Sequence, residues 1–403
     1  MSLLQFLREN GRLVTFGFFM CFCSSVGQTF FISLFNGELR HAFALSHGDI
    51  GSLYAMGTIA SAVTLIFAGR AIDRVSLPGV ATVVLVGLAL AALGMGIVWS
   101  AASLAVVFFG LRLFGQGLSS HTAMTAMGRY FDAARGRAIA LASVGYSTGE
   151  ALLPSVIVVL LPLVFWQSIW LLAALIVLMA IPVARWLLGA TGSNPQASAL
   201  PQDREAAAGR QWKLGDVLRD PCLWLRLPAL LSSPFILTGI FFHQVQLAAE
   251  KGWPLALMAG SFSAYAVVSF LTTLASGLVI DRRTARAAMP VFLLPLMLSC
   301  LLLAASAHPL VAPAFMILIG LNTGIYGIVS SAIWPEIYGV RHLGSIKAFA
   351  QSAMVLASGL APVVFGILID RRVAMDLIAI GCALWCVAAS ILAAVAEAVH
   401  RRG

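Results

Sequence analysis

The sequence predicts an all-α membrane protein in which twelve transmembrane helices form two pseudo-symmetric six-helix bundles. Three observations carry that expectation. Only 10% of the 403 residues are charged and 60% are apolar, whereas an ordinary soluble domain carries roughly 25% charged residues. Apolar runs of about 20 residues, long enough to cross a bilayer, recur along the whole chain. One local pattern also returns at an offset of 208 residues, from Asp73 to Asp281, as two copies of a helical unit require.

Taken in order, span 1 is expected over Leu13–Phe35. Arg8 and Arg12 precede it, but the run exceeds the apolar core of a signal peptide, so it is read as a retained helix. Span 2 covers Gly51–Ala68, and Ser46 with Asp49 three residues on makes a capping-box pattern ahead of it. Spans 3 and 4 are Gly79–Trp99 and Leu104–Met127. A turn at Arg135, Gly136 and Arg137 leads into span 5, Ala138–Leu161, and span 6 is Ile169–Leu188. The stretch Gly189–Gly209, rich in Ala, Ser, Gly, Pro and Gln, reads as a flexible linker. Spans 7 to 9 are Leu223–Leu247, Leu255–Ile280 and Met289–Ala307. Spans 10 to 12 are Leu310–Trp334, Ile346–Ile369 and Leu377–Ala398. The expected organisation is an N-terminal bundle, residues 1–188, a cytoplasmic linker, 189–221, and a C-terminal bundle, 222–403.

The net charge of +9 is dispersed in short clusters between apolar runs. It is the asymmetry of the positive-inside rule, and no nucleic-acid partner is expected. With both termini cytoplasmic, Arg40, Lys251, Arg371 and Arg372 fall outside and Arg112 lies within a span, leaving 20 of the 25 basic residues inside. The six cysteines lie in or beside apolar runs without paired C-x-x-C knuckles, so buried thiols are expected and a metal is not.

The repeated pattern is Gly69 to Arg74 after span 2 and Gly277 to Arg282 after span 8. The same register pairs Tyr130 with Tyr338, Gly136 with Gly344 and Pro154 with Pro362. A third copy, Gly366 to Arg371, follows span 11 on the other side and reads as a reused helix-end sequence.

Gly69, Asp73 and Arg74, the Arg112-x-x-Gly115-x-Gly117 stretch of span 4, and Tyr130-Phe131 through Arg135-Gly136 to Gly145 and Gly149 resemble the major facilitator superfamily. The last stretch is similar to its monocarboxylate and oxalate/formate branches. The resemblance implies a transporter working by alternating access in a bacterial inner membrane. It also implies gating by Gly69, Asp73, Arg74, Arg129, Arg135, Asp281, Arg282 and Arg341, the carboxylates pairing basic loop residues. The branch's charged residues in spans 1 and 8 are missing, since Gln28 stands in span 1 and span 8 has no charge before Asp281.

Arg112 lies roughly 12 Å into span 4. A charge at that depth faces the bundle interior or a wet cavity. Either it pairs an anionic substrate, or it is a structural arginine bonded to backbone or to an acidic neighbour. Glu150 in span 5 lies at a similar depth and is either that neighbour or a proton-coupling group. Ser24, Ser25, Gln28 and Thr29 form a polar band in span 1, with Ser25 and Thr29 spaced to share one face. Asn322, Thr323 and Tyr326 form another in span 10, joined by Tyr54 and Gln116. These bands either pack helices together or line a cavity. The substrate-binding set is therefore Arg112, Gln28, Gln116, Tyr54, Asn322 and Tyr326. His243, with Gln244 and Gln246, is read as a satisfied interfacial histidine, and His121 as a packing residue. Gly145 and Gly149 let helix 5 approach a neighbour closely.

The function expected is secondary transport of a small organic anion such as a carboxylate, by a monomer in the lipid bilayer, with a coupling proton or counter-ion and without a cofactor. Proton-driven efflux of drugs or amphipathic compounds is the alternative. A non-transporting membrane sensor is the alternative of another class. No His-Glu-x-x-His, Gly-x-Ser-x-Gly or phosphate-binding loop is present to point to an enzyme.

Overall fold

In a computed structural model the chain is described over residues 3–72, 76–131, 135–189, 212–282 and 284–402, and the regular structure of those residues is helical throughout. Ten of their helices are long and apolar enough to cross a membrane, matching spans 2–8 and 10–12. Span 1 is a bent pair, Arg8–Gly27 and Thr29–Phe43, at 44°, and span 9 is reduced to the short apolar helix Leu294–Ala305. Turns replace the first part of span 9 that the sequence predicts as helical: Pro290 within them lacks an N–H, and Pro295 stands in the first turn of the helix that follows, where none is needed.

Most boundaries have local causes. Helix 2, His47–Ile72, starts at the expected capping box: the Ser46 N–H donates to Asp49 Oδ2 and the Asp49 N–H to Ser46 Oγ, each at 3.0 Å. Helix 4 starts behind a second box, Ser100 with Ser103, and runs from Ala101 to Tyr130. Its middle, Leu111–Ser119, is π-helical, which span periodicity does not reveal. Helix 7, Pro221–Phe242, is capped by Asp220 and ends at His243, short of the predicted Leu247. Helix 10, Val311–Tyr338, stops where Gly339 takes a φ of 81°. Within the predicted linker, Leu214–Arg219 forms a short helix, and residues 190–211 lie outside the described residues.

The chain divides into two compact units, Met1–Leu45 with Ser52–Ala199, and Ser46–Gly51 with Leu200–Gly403. In the first, helix 1 packs on helix 5 (Arg135–Leu160), and helix 3 (Leu77–Gly96) on helix 6 (Trp166–Leu188). In the second, helix 7 packs on helix 11 (Leu343–Asp370), and helix 9 on helix 12 (Met375–Arg402). First with fifth and third with sixth thus recur in both, the pseudo-symmetry expected of a parallel repeat. Large apolar side chains such as Phe67, Leu278 and Leu384 are about two-thirds exposed, a surface suited to lipid.

Glycines set the closest approaches. A Cβ on Gly115 of helix 4 would lie 2.6 Å from Gly27 Cα, and one on Gly27 would strike the Leu111 carbonyl. As expected, Gly145 and Gly149 seat helix 5 on a neighbour, which is helix 1 at Phe18, Cys21 and Ser25. In the second unit, Gly51 lies against the backbone of Pro362 and Gly366 against that of His47.

The second unit holds two charged anchors that the sequence did not mark. Glu397 bridges two arginines, with Arg226 Nε at 2.7 Å and Arg286 Nε at 2.8 Å. Asp370 accepts the His47 N–H at 2.9 Å and the Gly48 N–H at 2.7 Å. The third copy of the repeated pattern is therefore more than a reused helix end: its carboxylate caps the first turn of helix 2.

Two predictions follow from this packing. Gly115→Leu should destabilise the first unit by about 1–3 kcal/mol, whereas Gly128→Ala, whose Cβ meets nothing within 4 Å, should not. Intrinsic-fluorescence melting in detergent checks the pair. Glu397→Ala leaves Arg226 buried and unpaired and should cost about 3–5 kcal/mol, while Arg226→Met with Glu397→Met should regain most of it in the same measurement.

Candidate functional site

Helix 1 ends at Ser24, a 3-10 turn covers Ser25–Gly27, and Gln28 is extended (φ −84°, ψ 152°) before helix resumes at Thr29. The break takes Gly27 out of the regular helical ladder, and its carbonyl turns to helix 4. The π-helical turns opposite shift helix 4's side chains, and the two glycines bring the backbones into contact.

Arg112 sits at this crossing and is 4% exposed. Its Nη1 donates to Gly27 O and to Thr29 Oγ1, both at 3.4 Å. Its guanidinium carbon lies 5.1 Å from the centroid of the Tyr54 ring, a cation–π contact. The Tyr54 hydroxyl is 2.7 Å from Thr29 Oγ1, and its ring meets Phe108 edge-on. Arg112 Nε is buried with no hydrogen-bond partner, and none of the ion pairs among the described residues involves Arg112. The arginine is therefore covered, bonded to backbone and hydroxyl, and does not stand open on a cavity wall.

The predicted Arg112–Glu150 pair is not formed. Glu150 is half-buried on helix 5, next to Gly149, which lies against Ser25 on the same broken segment. Gln28 is half-buried at the break, and Gln116 is half-buried in the π segment with its backbone N–H beside Gly27. One place in the first unit thus gathers Arg112, Tyr54, Gln28 and Gln116. The expected shared face of Ser25 and Thr29 does not exist, because the break lies between them. Ser24 back-bonds to Cys21 O at 2.6 Å, while Thr29 serves Arg112 and Tyr54.

In the second unit, Asn322 is fully buried, donating to Phe292 O at 3.0 Å and accepting from Ser233 Oγ at 2.8 Å. Tyr326, one turn on, stacks on Phe292. His243 has a partner as expected, its Nε2 3.0 Å from Pro362 O, and is buried. His121, expected to pack, is exposed. Of the gate residues, Asp73 and Arg74 lie outside the described residues, as do the side chains of Arg129, Arg135 and Asp281. Gly69 falls in the last turn of helix 2, and Arg282 and Arg341 are exposed.

Among the described residues, ten membrane-length apolar helices, a bent pair and a short apolar helix, in two units of like internal packing, make a multi-pass membrane protein. The chain belongs to the Major Facilitator Superfamily, whose family description matches residues 17–362. Among solved structures it is similar to a bacterial homologue of the human lysosomal transporter Spinster in an inward-facing, unoccupied conformation, at TM-score 0.73 and 14% identity over 98% of each chain. It is also similar to the nucleoside transporter NupG, at TM-score 0.75 and 12% identity over 96% of this chain and 98% of that one. Such identities establish the shared fold alone. No curated protein matches it in sequence. The protein is a transporter of small molecules in a lipid bilayer and not an enzyme.

Substitution at the helix-1 break tests the geometry directly. Thr29→Val removes a hydroxyl shared by Arg112 and Tyr54 and should destabilise the first unit by about 1–3 kcal/mol, whereas Thr29→Ser should not. Melting of the two variants in detergent separates them.

Proposed function

We propose that the protein is a secondary transporter of a small organic anion, such as a carboxylate, with Arg112 as the counter-charge. The observation that carries this reading is a buried guanidinium held by two bonds of 3.4 Å and by no carboxylate among the described residues. A cation inside a membrane needs compensation. Bonds that long are weak, and a substrate carboxylate would replace them with shorter, charge-assisted ones. Gln28, Gln116 and Tyr54 flank the group and supply neutral contacts, and Tyr326 of the second unit is kept as a candidate. Asn322, engaged on both sides of its amide, is assigned to packing.

Glu150 is the proposed proton-coupling group, since its helix touches the same broken segment through Gly149. The gate is assigned to Asp73 and Asp281, with Arg74, Arg129, Arg135, Arg282 and Arg341 as basic partners. The charge distribution supports cytoplasmic termini, and a bacterial inner membrane and the bundles 1–188 and 222–403 are proposed with it. A monomer is the assembly proposed.

The test is uptake into proteoliposomes of a panel of carboxylates and their amides, with and without a pH gradient. Acids should be taken up and amides not, and Arg112→Gln should lower uptake on the order of a hundredfold. Full uptake by Arg112→Gln, or equal uptake of amides, would overturn the anion reading. Extrusion of amphipathic dyes that needs Glu150 and not Arg112 would replace it with efflux. Asp73→Asn should cut uptake without preventing insertion, and normal uptake by that variant would remove the gate assignment.

A further inference from the structure

Helices 11 and 12 of the second unit touch each other little, while helix 7 packs firmly on both. The gap between them is a cavity of about 1090 Å³ with an almost wholly apolar lining. On helix 11 that lining runs from Phe349 to Leu368, a rise of roughly 28 Å, close to the roughly 30 Å of a bilayer's hydrocarbon core. Its walls are open on one side: Leu360 and Trp385 are 42% and 51% exposed. At that depth the medium is lipid, and a gap between helices left unfilled would forfeit dispersion contacts along its whole length.

One end of the groove carries positive charge. Leu368 and Val373 both line it, and Arg371 and Arg372 lie between them, exposed. The nearby acids are engaged elsewhere. Asp370 caps His47 and Gly48, Asp376 pairs with Lys251 at 2.6 Å, and Glu250 accepts the Met375 N–H at 2.7 Å. None of the ion pairs among the described residues involves either arginine. Arg372 also occupies the left-handed position after helix 11 (φ 61°), with the Val373 N–H closing on Leu368 O at 3.0 Å. Glycine is the usual residue there and a side chain is disfavoured. An arginine kept at such a position points to a use for its guanidinium.

We propose that this groove binds a membrane phospholipid, its acyl chain lying between helices 11 and 12 over helix 7 and its phosphate held by Arg371 and Arg372. Paired guanidinium groups suit phosphate oxygens, and the apolar trough suits the chain. Lipid then completes the contact between helices 11 and 12 that side chains leave open.

The test is native mass spectrometry of the full-length protein, purified in mild detergent and titrated with palmitoyl-oleoyl phosphatidylglycerol. Wild-type protein should retain one lipid. Arg371→Ala with Arg372→Ala should weaken retention about tenfold. Gly381→Leu should weaken it as well: Gly381 lines the groove and a Cβ there meets nothing within 4 Å, so the larger side chain occupies the trough without a clash. Dicaproyl phosphatidylglycerol, with the same headgroup on short chains, should bind far more weakly than the long-chain lipid. Unchanged circular dichroism and gel-filtration profiles establish that the variants fold. No retention by wild type, wild-type retention by either variant, or equal binding of the short-chain lipid would overturn the proposal.

Discussion

The first unit depends on one crossing, where the break in helix 1 meets the π-helical stretch of helix 4. Two features have to coincide there. Gly27 and Gly115 remove the side chains that would keep the backbones apart, and the break gives up the regular helix that would otherwise occupy the Gly27 carbonyl. Arg112 can enter only because both hold. Against an intact helix its guanidinium would lose the Gly27 carbonyl as an acceptor. The polar residues around it, Thr29 and Tyr54, are ordered by the same event, since they bond to each other across helices 1 and 2.

Charge is used differently in the two units. In the first, a buried cation rests on a carbonyl, a hydroxyl and an aromatic face, all neutral. In the second, the buried carboxylate is neutralised within the unit, where Glu397 bridges Arg226 and Arg286, and the exposed Asp370 satisfies two N–H groups that begin helix 2. Compensated ions at helix ends fix geometry. An uncompensated one in mid-membrane leaves electrostatic interaction available to a solute. That contrast is the physical basis for looking for substrate chemistry at Arg112 and for structural roles at Glu397 and Asp370.

Helix contacts divide along similar lines. Between helices 1 and 5 and between helices 1 and 4, glycines bring backbones into van der Waals contact. Where helices 11 and 12 face the bilayer, side chains leave a trough and exposed leucines. Lipid is as apolar as leucine, so nothing drives such helices together.

Apolar run length, charge scarcity and the 208-residue register were enough to predict a helical membrane protein with a repeated unit, because the membrane imposes those properties on composition and spacing directly, while the family was read from the resemblance of its short motifs. The capping box at Ser46 was legible because it depends on neighbours in sequence; Gly145 and Gly149 marked a close approach by their spacing, but not that helix 1 makes it. The break at Gln28, the π segment around Arg112 and the turn that shortens span 9 were not, although Gly27, Gly115 and the Pro290–Pro295 pair were signs of them. Nor did the sequence mark Glu397 as a partner of Arg226, 171 residues away, or Ser233 and Phe292 as the partners of Asn322. Those outcomes depend on which carbonyls, amides and charges meet across helices. Periodicity along one helix contains no such information, so only the tertiary structure decided them.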